Sequence, residues 1–108
     1  MQTDPLKTLE LKPLIIEAIS KVYDPEIPVN IYELGLIYDI DVNSENVVQI
    51  NMTLTSPACP SAQSLPLEVE RRVREVSGVA SAKVDVVWEP TWTMEKMSEE
   101  AKLQMGLL

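Results

Sequence analysis

Two runs of alternating residues constrain this chain more than any other feature. Leu34, Leu36, Tyr38, Ile40 and Val42 alternate with Gly35, Ile37, Asp39 and Asp41. After Asn43-Ser44-Glu45-Asn46, a second run sets Val48, Ile50, Met52 and Leu54 against Gln49, Asn51 and Thr53. A period of two gives each strand one buried and one wetter face, the habit of antiparallel sheets. The polar residues between the runs suit a short hairpin turn. An antiparallel hairpin with one face to be covered is therefore the centre of the fold.

What covers it lies on either side in sequence. Pro13 fits the first turn of a helix running to about Val22, because its missing N–H would be unpaired there anyway. Ile15, Ala18, Ile19 and Val22 form the buried stripe. Residues 1–11 read as a polar lead-in to a single domain spanning 12–108. The prolines of Asp24-Pro25-Glu26-Ile27-Pro28 then forbid helix. Beyond Leu54 the alternation breaks, and a second helix runs to about Ser77 with Leu65, Val69, Val73 and Val76 on one face. Pro66 either follows the start of this helix or kinks it. Gly78 is a natural C-cap. A third strand covers about Ala80 to Glu89, with Ala82, Val84, Val86 and Trp88 facing in. A short last helix is capped by Ser98 and ends at Gly106.

The order α-β-β-α-β-α predicts an α+β fold, a two-layer sandwich whose three-stranded sheet carries its helices on one face. Strand three runs in the direction of strand two and can lie beside either neighbour. A place beside strand one keeps every pair antiparallel and is the favoured arrangement.

Composition removes whole classes of function. A chain of 108 residues and 12.1 kDa buries about two thirds of its unfolded surface, enough for one core and not for a second domain. Cys59 is the single cysteine, so no intrachain disulfide forms, and a lone thiol suits a reducing compartment. Without histidine there is no Ser-His-Asp or Cys-His catalysis and no zinc site with imidazole ligands. No run approaches the ~18 apolar residues of a membrane span. The opening MQTDPLKTLELKP lacks the apolar stretch of a signal peptide. A net charge of −8 disfavours nucleic acid. Arg71, Arg72 and Arg74 are interleaved with Glu68, Glu70 and Glu75, as on a solvated helix face. The expectation is a cytoplasmic soluble module.

Three places could carry chemistry. Cys59 lies between a strand end and a helix start, flanked by the stiffening Pro57 and Pro60. The helix dipole and unpaired N–H groups there favour a thiolate, the form that attacks electrophiles or binds metal. The alternative is a small buried hydrophobe. One thiolate cannot hold an iron–sulfur cluster, which takes four ligands, so a second copy, a partner or a small thiol would have to complete the shell. Asp24, Glu26 and Glu33 are close in sequence and suit a harder metal. Pro25 holds Asp24 and Glu26 at a fixed spread for a basic partner or a metal. The favoured reading is that both carboxylates accept backbone N–H bonds in a turn. Trp88 continues the inward face of strand three and reads as core. Trp92 lies beyond the sheet, where it covers a core edge or anchors a partner, with core packing favoured. Met94, Met97 and Met105 line a soft interface or pack the last helix down.

These places coincide with a known family pattern. Asp24-Pro25-Glu26-Ile27-Pro28 followed by Ile31-Tyr32-Glu33-Leu34-Gly35-Leu36-Ile37 resembles the opening signature of the MIP/PaaD/SufT-type iron–sulfur assembly proteins. Met52-Thr53-Leu54-Thr55-Ser56-Pro57-Ala58-Cys59-Pro60 is similar to the cysteine loop of that family. The stretch Trp88 to Met97, then Ser98-Glu99-Glu100-Ala101 and Gly106, is similar to its C-terminal segment. The likeness covers about residues 12–106.

The resemblance implies the small sandwich of iron–sulfur assembly domains and a non-catalytic part in iron–sulfur protein maturation. It implies that Cys59, Asp24 and Glu26 are functional positions, with Pro25 shaping the turn. Cys59 would meet a transient cluster or iron, its remaining ligands coming from a partner or from a second subunit of a homodimer. The implied partners are iron–sulfur assembly proteins and client apoproteins, with no nucleic acid and no membrane. Some relatives carry a fused P-loop ATPase. No G-x-x-x-x-G-K-[ST] occurs here, so nucleotide chemistry would belong to a partner. Ala58 stands where eukaryotic relatives often place histidine, and the pattern is that of a SufT-like stand-alone member. Two other readings stay open. One is a structural or assembly subunit of a multicomponent phenylacetyl-CoA oxygenase-type complex, with Trp92 and the acidic surface at the interface. The other is a thiol redox switch, which requires an accessible Cys59 of low pKa.

Overall fold

A computed structural model describes residues 3–23, 29–54 and 64–106. Its elements run α1 (Pro5–Ile19), β1 (Ile37–Val42), β2 (Val47–Met52), α2 (Leu65–Arg74), β3 (Ser81–Val86), a 3-10 turn (Met94–Lys96) and α3 (Glu99–Gln104). This is the expected α-β-β-α-β-α order around a three-stranded sheet.

Helix α1 begins at Pro5, not Pro13. Asp4 is its N-cap, with Oδ1 accepting the N–H groups of Leu6 at 3.1 Å and Lys7 at 3.2 Å. Pro5 takes the first-turn position expected for Pro13. Pro13 sits inside the helix instead. It can do so because the carbonyl left without a donor is that of exposed Leu9, on the solvent side. The buried stripe is Leu11, Ile15 and Ile19, continued by Val22. The same N-terminal stretch ties down one sheet edge. Asp4 N–H donates to the Val42 carbonyl at 2.7 Å, and the Thr8 hydroxyl accepts Val42 N–H at 3.0 Å.

The hairpin forms as expected. Asn43 Oδ1 accepts N–H from Glu45 at 2.9 Å and Val47 at 3.0 Å, and Asn46 takes a positive φ of 64°. Ile40 pairs with Ile50 and Val42 with Val48, all buried. A bulge between Ile37 and Asp39 shifts the register. Tyr38 therefore leaves the inward series and lies half-buried beside the outer face.

The expected place of β3 beside β1 is overturned: the sheet order is β1-β2-β3, with β2 and β3 parallel. The reason is local. Helix α2 forms the crossover between two strands running the same way, and such a βαβ unit sets its strands side by side. Helix α2 starts at Leu65 with Pro66 in its first turn, so Pro66 does not kink it. Leu65, Val69 and Val73 are buried. Arg71 and Arg74 form the solvated face anticipated for them, with Arg74 2.8 Å from Glu70 and Arg71 3.7 Å from Glu75. Arg72 instead is half-buried, its Nε buried without a hydrogen-bond partner among the described residues.

Trp88 is the second correction. Strand β3 stops at Val86, and Trp88 is 46% exposed rather than core. Parallel pairing with β2 ends at Met52–Val86. Beyond it, no strand among the described residues holds Trp88 over the core. The open outer face of the sheet is polar: Gln49 Nε2 donates to Asp85 at 2.8 Å, and Asn51 Nδ2 donates to Asp39 at 3.1 Å. No helix among the described residues is long and apolar enough to cross a membrane.

Candidate functional site

Asp24, Pro25, Glu26, Thr55, Pro57, Cys59 and Pro60 all lie outside the described residues. What the structure places is the framework from which their two segments leave. The acidic segment departs after Tyr23 and returns at Val29. Its ends are closed by an antiparallel bridge between Tyr23 and Asn30 and by Ile31 N–H donating to the Val22 carbonyl at 2.9 Å. Val22, Val29 and Ile31 are buried. A long apolar burial on both sides of a polar stretch fixes its ends by the hydrophobic effect, without using the stretch itself.

The cysteine segment departs after Leu54 and returns at Ser64, the N-cap position of α2. Leu54 and Leu65 are both buried. Thr53 N–H donates to the Leu36 carbonyl at 2.8 Å, and Leu36 N–H donates to the Ile31 carbonyl at 3.2 Å. A continuous series of backbone hydrogen bonds thus runs Val22–Ile31–Leu36–Thr53. It joins the stems of two motifs that are more than thirty positions apart in the chain. No sequence spacing announces this; it comes from the tight turn that precedes β1.

That turn contains Glu33. Asn30 Oδ1 accepts Glu33 N–H at 2.9 Å, and Gly35 N–H reaches the Tyr32 carbonyl at 3.0 Å. Gly35 has φ +80°, and a Cβ there would overlap the backbone of Lys96. The C-terminal segment crosses at this point and is bonded twice more. Trp92 Nε1–H donates to the Leu34 carbonyl at 2.7 Å, and Ser98 N–H donates to the Glu33 carbonyl at 2.9 Å. Trp92 is half-buried against the core, as the core-edge reading required. Met97 is buried beside it, and Met94 is exposed.

Two clefts flank this junction. One, of about 310 Å³, is lined by Tyr23, Val29, Asn30, Glu33, Glu100 and Gln104, among others, at the root of the acidic segment. Glu33 is thereby placed beside Tyr23 and Val29, the described residues on either side of the acidic segment, and Glu100 joins it from α3. Glu100 was not singled out from sequence; only the docking of α3 against the Glu33 turn brings it there. The other cleft, of about 640 Å³, lies on the outer sheet side among Tyr38, Asp39, Asn51, Glu89, Pro90 and Lys96. There the Tyr38 hydroxyl donates to the Pro90 carbonyl at 2.7 Å, with Lys96 Nζ 5.1 Å from its ring centre. Burial pushes the phenol above its ordinary value of 10.0, and the Thr53 side chain tempers the rise. Among the described residues, no three cysteine or carboxylate side chains are grouped to hold a metal ion.

The fold and these motifs agree with known proteins. A model of the iron–sulfur cluster assembly protein family matches residues 13–86. The chain belongs to the iron–sulfur cluster assembly protein family. A member from Porphyromonas gingivalis, named an Fe-S protein maturation auxiliary factor, is 48% identical over 87% of this chain and 90% of its own length. One from Bacillus subtilis with the same description is 41% identical over 90% of this chain and 95% of its own. A crystal structure of a domain of unknown function from Bacillus anthracis superposes with a TM-score of 0.88 at 33% identity, covering 97% of this chain and all of that one. In this iron–sulfur assembly domain the family match includes both motif segments and the turn that joins their stems.

Proposed function

We propose that this protein is a non-catalytic factor in iron–sulfur protein maturation, passing or presenting cluster or iron to client apoproteins in the cytoplasm. The observation that carries the reading is near-full-length identity of 41–48% to proteins named Fe-S protein maturation auxiliary factors. The backbone series Val22–Ile31–Leu36–Thr53 supports it, because it joins the stems of the two segments that carry Asp24–Glu26 and Cys59 in the sequence. The Cys59 thiolate meets iron, a cluster or a partner thiol. Asp24 and Glu26 shape their turn or engage the client. With one thiol per chain, the remaining cluster ligands come from the partner. The cluster is cargo here, held only while it is exchanged.

The test is genetic and spectroscopic. Cells carrying Cys59→Ser in place of the wild-type chain should lose activity of cluster-dependent enzymes to the same degree as a deletion strain. Full retention of those activities, where the deletion loses them, would end the thiol mechanism. Anaerobic reconstitution with iron counting on wild type and Cys59→Ala then separates direct cargo binding from an adaptor role. Iron retained equally by both would remove Cys59 from the site.

A further inference from the structure

We propose that the free edge of β3 pairs with the β3 edge of a second copy of this chain, antiparallel and centred on Val84, so that Lys83 of each copy faces the partner's Asp85. This rests on strand geometry and does not depend on the maturation reading.

The two edges of the sheet are treated differently. The β1 edge is covered where Asp4 and Thr8 bond to Val42. Strand β3 has β2 on one side and, among the described residues, no strand on the other. Val87 N–H donates to the Met52 carbonyl at 2.8 Å. Bonded residues alternate along a parallel ladder, so Asp85 and Lys83 also turn their backbone groups to β2. The N–H and C=O groups of Ala82, Val84 and Val86 then point to the open edge, as a template for another strand.

A two-fold pairing must place these outward residues opposite one another, and the side chains choose among the registers. Centring on Lys83 sets Lys83 against the partner's Lys83. Centring on Asp85 sets Asp85 against the partner's Asp85. Like charges directly opposite are destabilising. Centring on Val84 removes both clashes and creates two identical attractions, Lys83 with the partner's Asp85 and the reverse. The same register sets Val86 against the partner's Ala82, large against small. It also brings Trp88, 46% exposed just past the strand, opposite the partner's Ala80. An edge lysine commonly blocks strand addition. Here it blocks the wrong register and favours one. A pattern complementary to itself under a two-fold axis identifies the occupant as another copy of the chain rather than an unrelated strand.

The edge is six residues long and each chain carries a net charge of −8, so the association is weak and opposed by long-range repulsion. The measurement is sedimentation velocity at physiological salt, over a concentration series reaching millimolar. Wild type should move from monomer to dimer, with Trp88 emission shifting to the blue. Lys83→Asp should weaken the dimer about tenfold, since each pair occurs twice. Asp85→Lys should do the same, and the double variant Lys83→Asp, Asp85→Lys should restore it. The Lys83 side chain makes no hydrogen bond or ion pair among the described residues, so its substitution leaves the protomer intact. A wild type that stays monomeric throughout would overturn the proposal. So would single variants that dimerise as wild type does, or a double variant that recovers nothing.

Discussion

Trp92 donates its indole Nε1–H to the Leu34 carbonyl at 2.7 Å, across 58 positions of sequence. This bond and the packing of the ring hold the C-terminal segment against the turn before β1. Trp92→Phe keeps most of the packing and loses the donor, so it should cost about 1 kcal/mol. Trp92→Ala also leaves a void and should cost about 3 kcal/mol. Trp88→Ala, measured in dilute solution, should cost about 1 kcal/mol or less, as for other exposed sites. Urea unfolding of the three variants checks the ranking. Equal losses for Trp88→Ala and Trp92→Ala would contradict the assignment.

Gly35 and Gly106 form a matched pair for a backbone test. Both have positive φ, +80° and +76°, but a Cβ on Gly35 meets the Lys96 backbone while one on Gly106 meets nothing within 4 Å. Gly106→Ala should cost about 1 kcal/mol, the conformational penalty alone. Gly35→Ala adds displacement of the C-terminal segment and should exceed it by at least ~1 kcal/mol. Thermal unfolding decides, and a smaller loss at Gly35 than at Gly106 would refute the close approach.

The Tyr38 phenol titrates above its ordinary 10.0 because burial disfavours the phenolate. Its neutral form donates to the Pro90 carbonyl, a bond the phenolate cannot make. A folded pKa above the unfolded one means that the stabilisation is complete below pH 10 and is lost as pH rises through the folded value. The stability difference between wild type and Tyr38→Phe should therefore be flat near neutrality and shrink in alkali. Denaturant unfolding across that range measures it. A difference that grows with rising pH would show that the sign is wrong.

Asp4 caps α1 through two backbone N–H groups. Asp4→Ala should lower stability by about 1 kcal/mol, and Asp4→Asn by much less. Amide hydrogen exchange should show the loss first in the opening turn of α1 and at Val42. A neutral Asp4→Ala would contradict the capping role assigned to Asp4.

How much of the protein was legible depends on the range of each interaction. The hairpin could be read because alternation and an Asn-rich turn are local, and Ile40, Val42, Val48 and Ile50 are buried as their spacing requires. Helix α2 could be read for the same reason, through Val69 and Val73. The start of α1 was missed because Lys7, Thr8 and Glu10 look solvent-bound, although Asp4-Pro5 carried a capping signal. The bulge at Tyr38 was hidden inside a regular alternation that the backbone does not follow to its end. For the candidate site, the motifs point to the candidate residues. The meeting of Glu33 with Glu100, and of the two motif stems, depends on hydrogen bonds between distant segments.

The sequence by itself determined the element order, the two-layer class, the family and the limit of one thiol per chain. These depend on periodicity, motif identity and a single thiol, all properties of the chain alone. Only the tertiary structure decided that β3 lies beside β2, that Trp92 rather than Trp88 serves the core, and that one turn roots both motifs. Each is a choice between arrangements with similar local preferences, settled by which surfaces can be buried together.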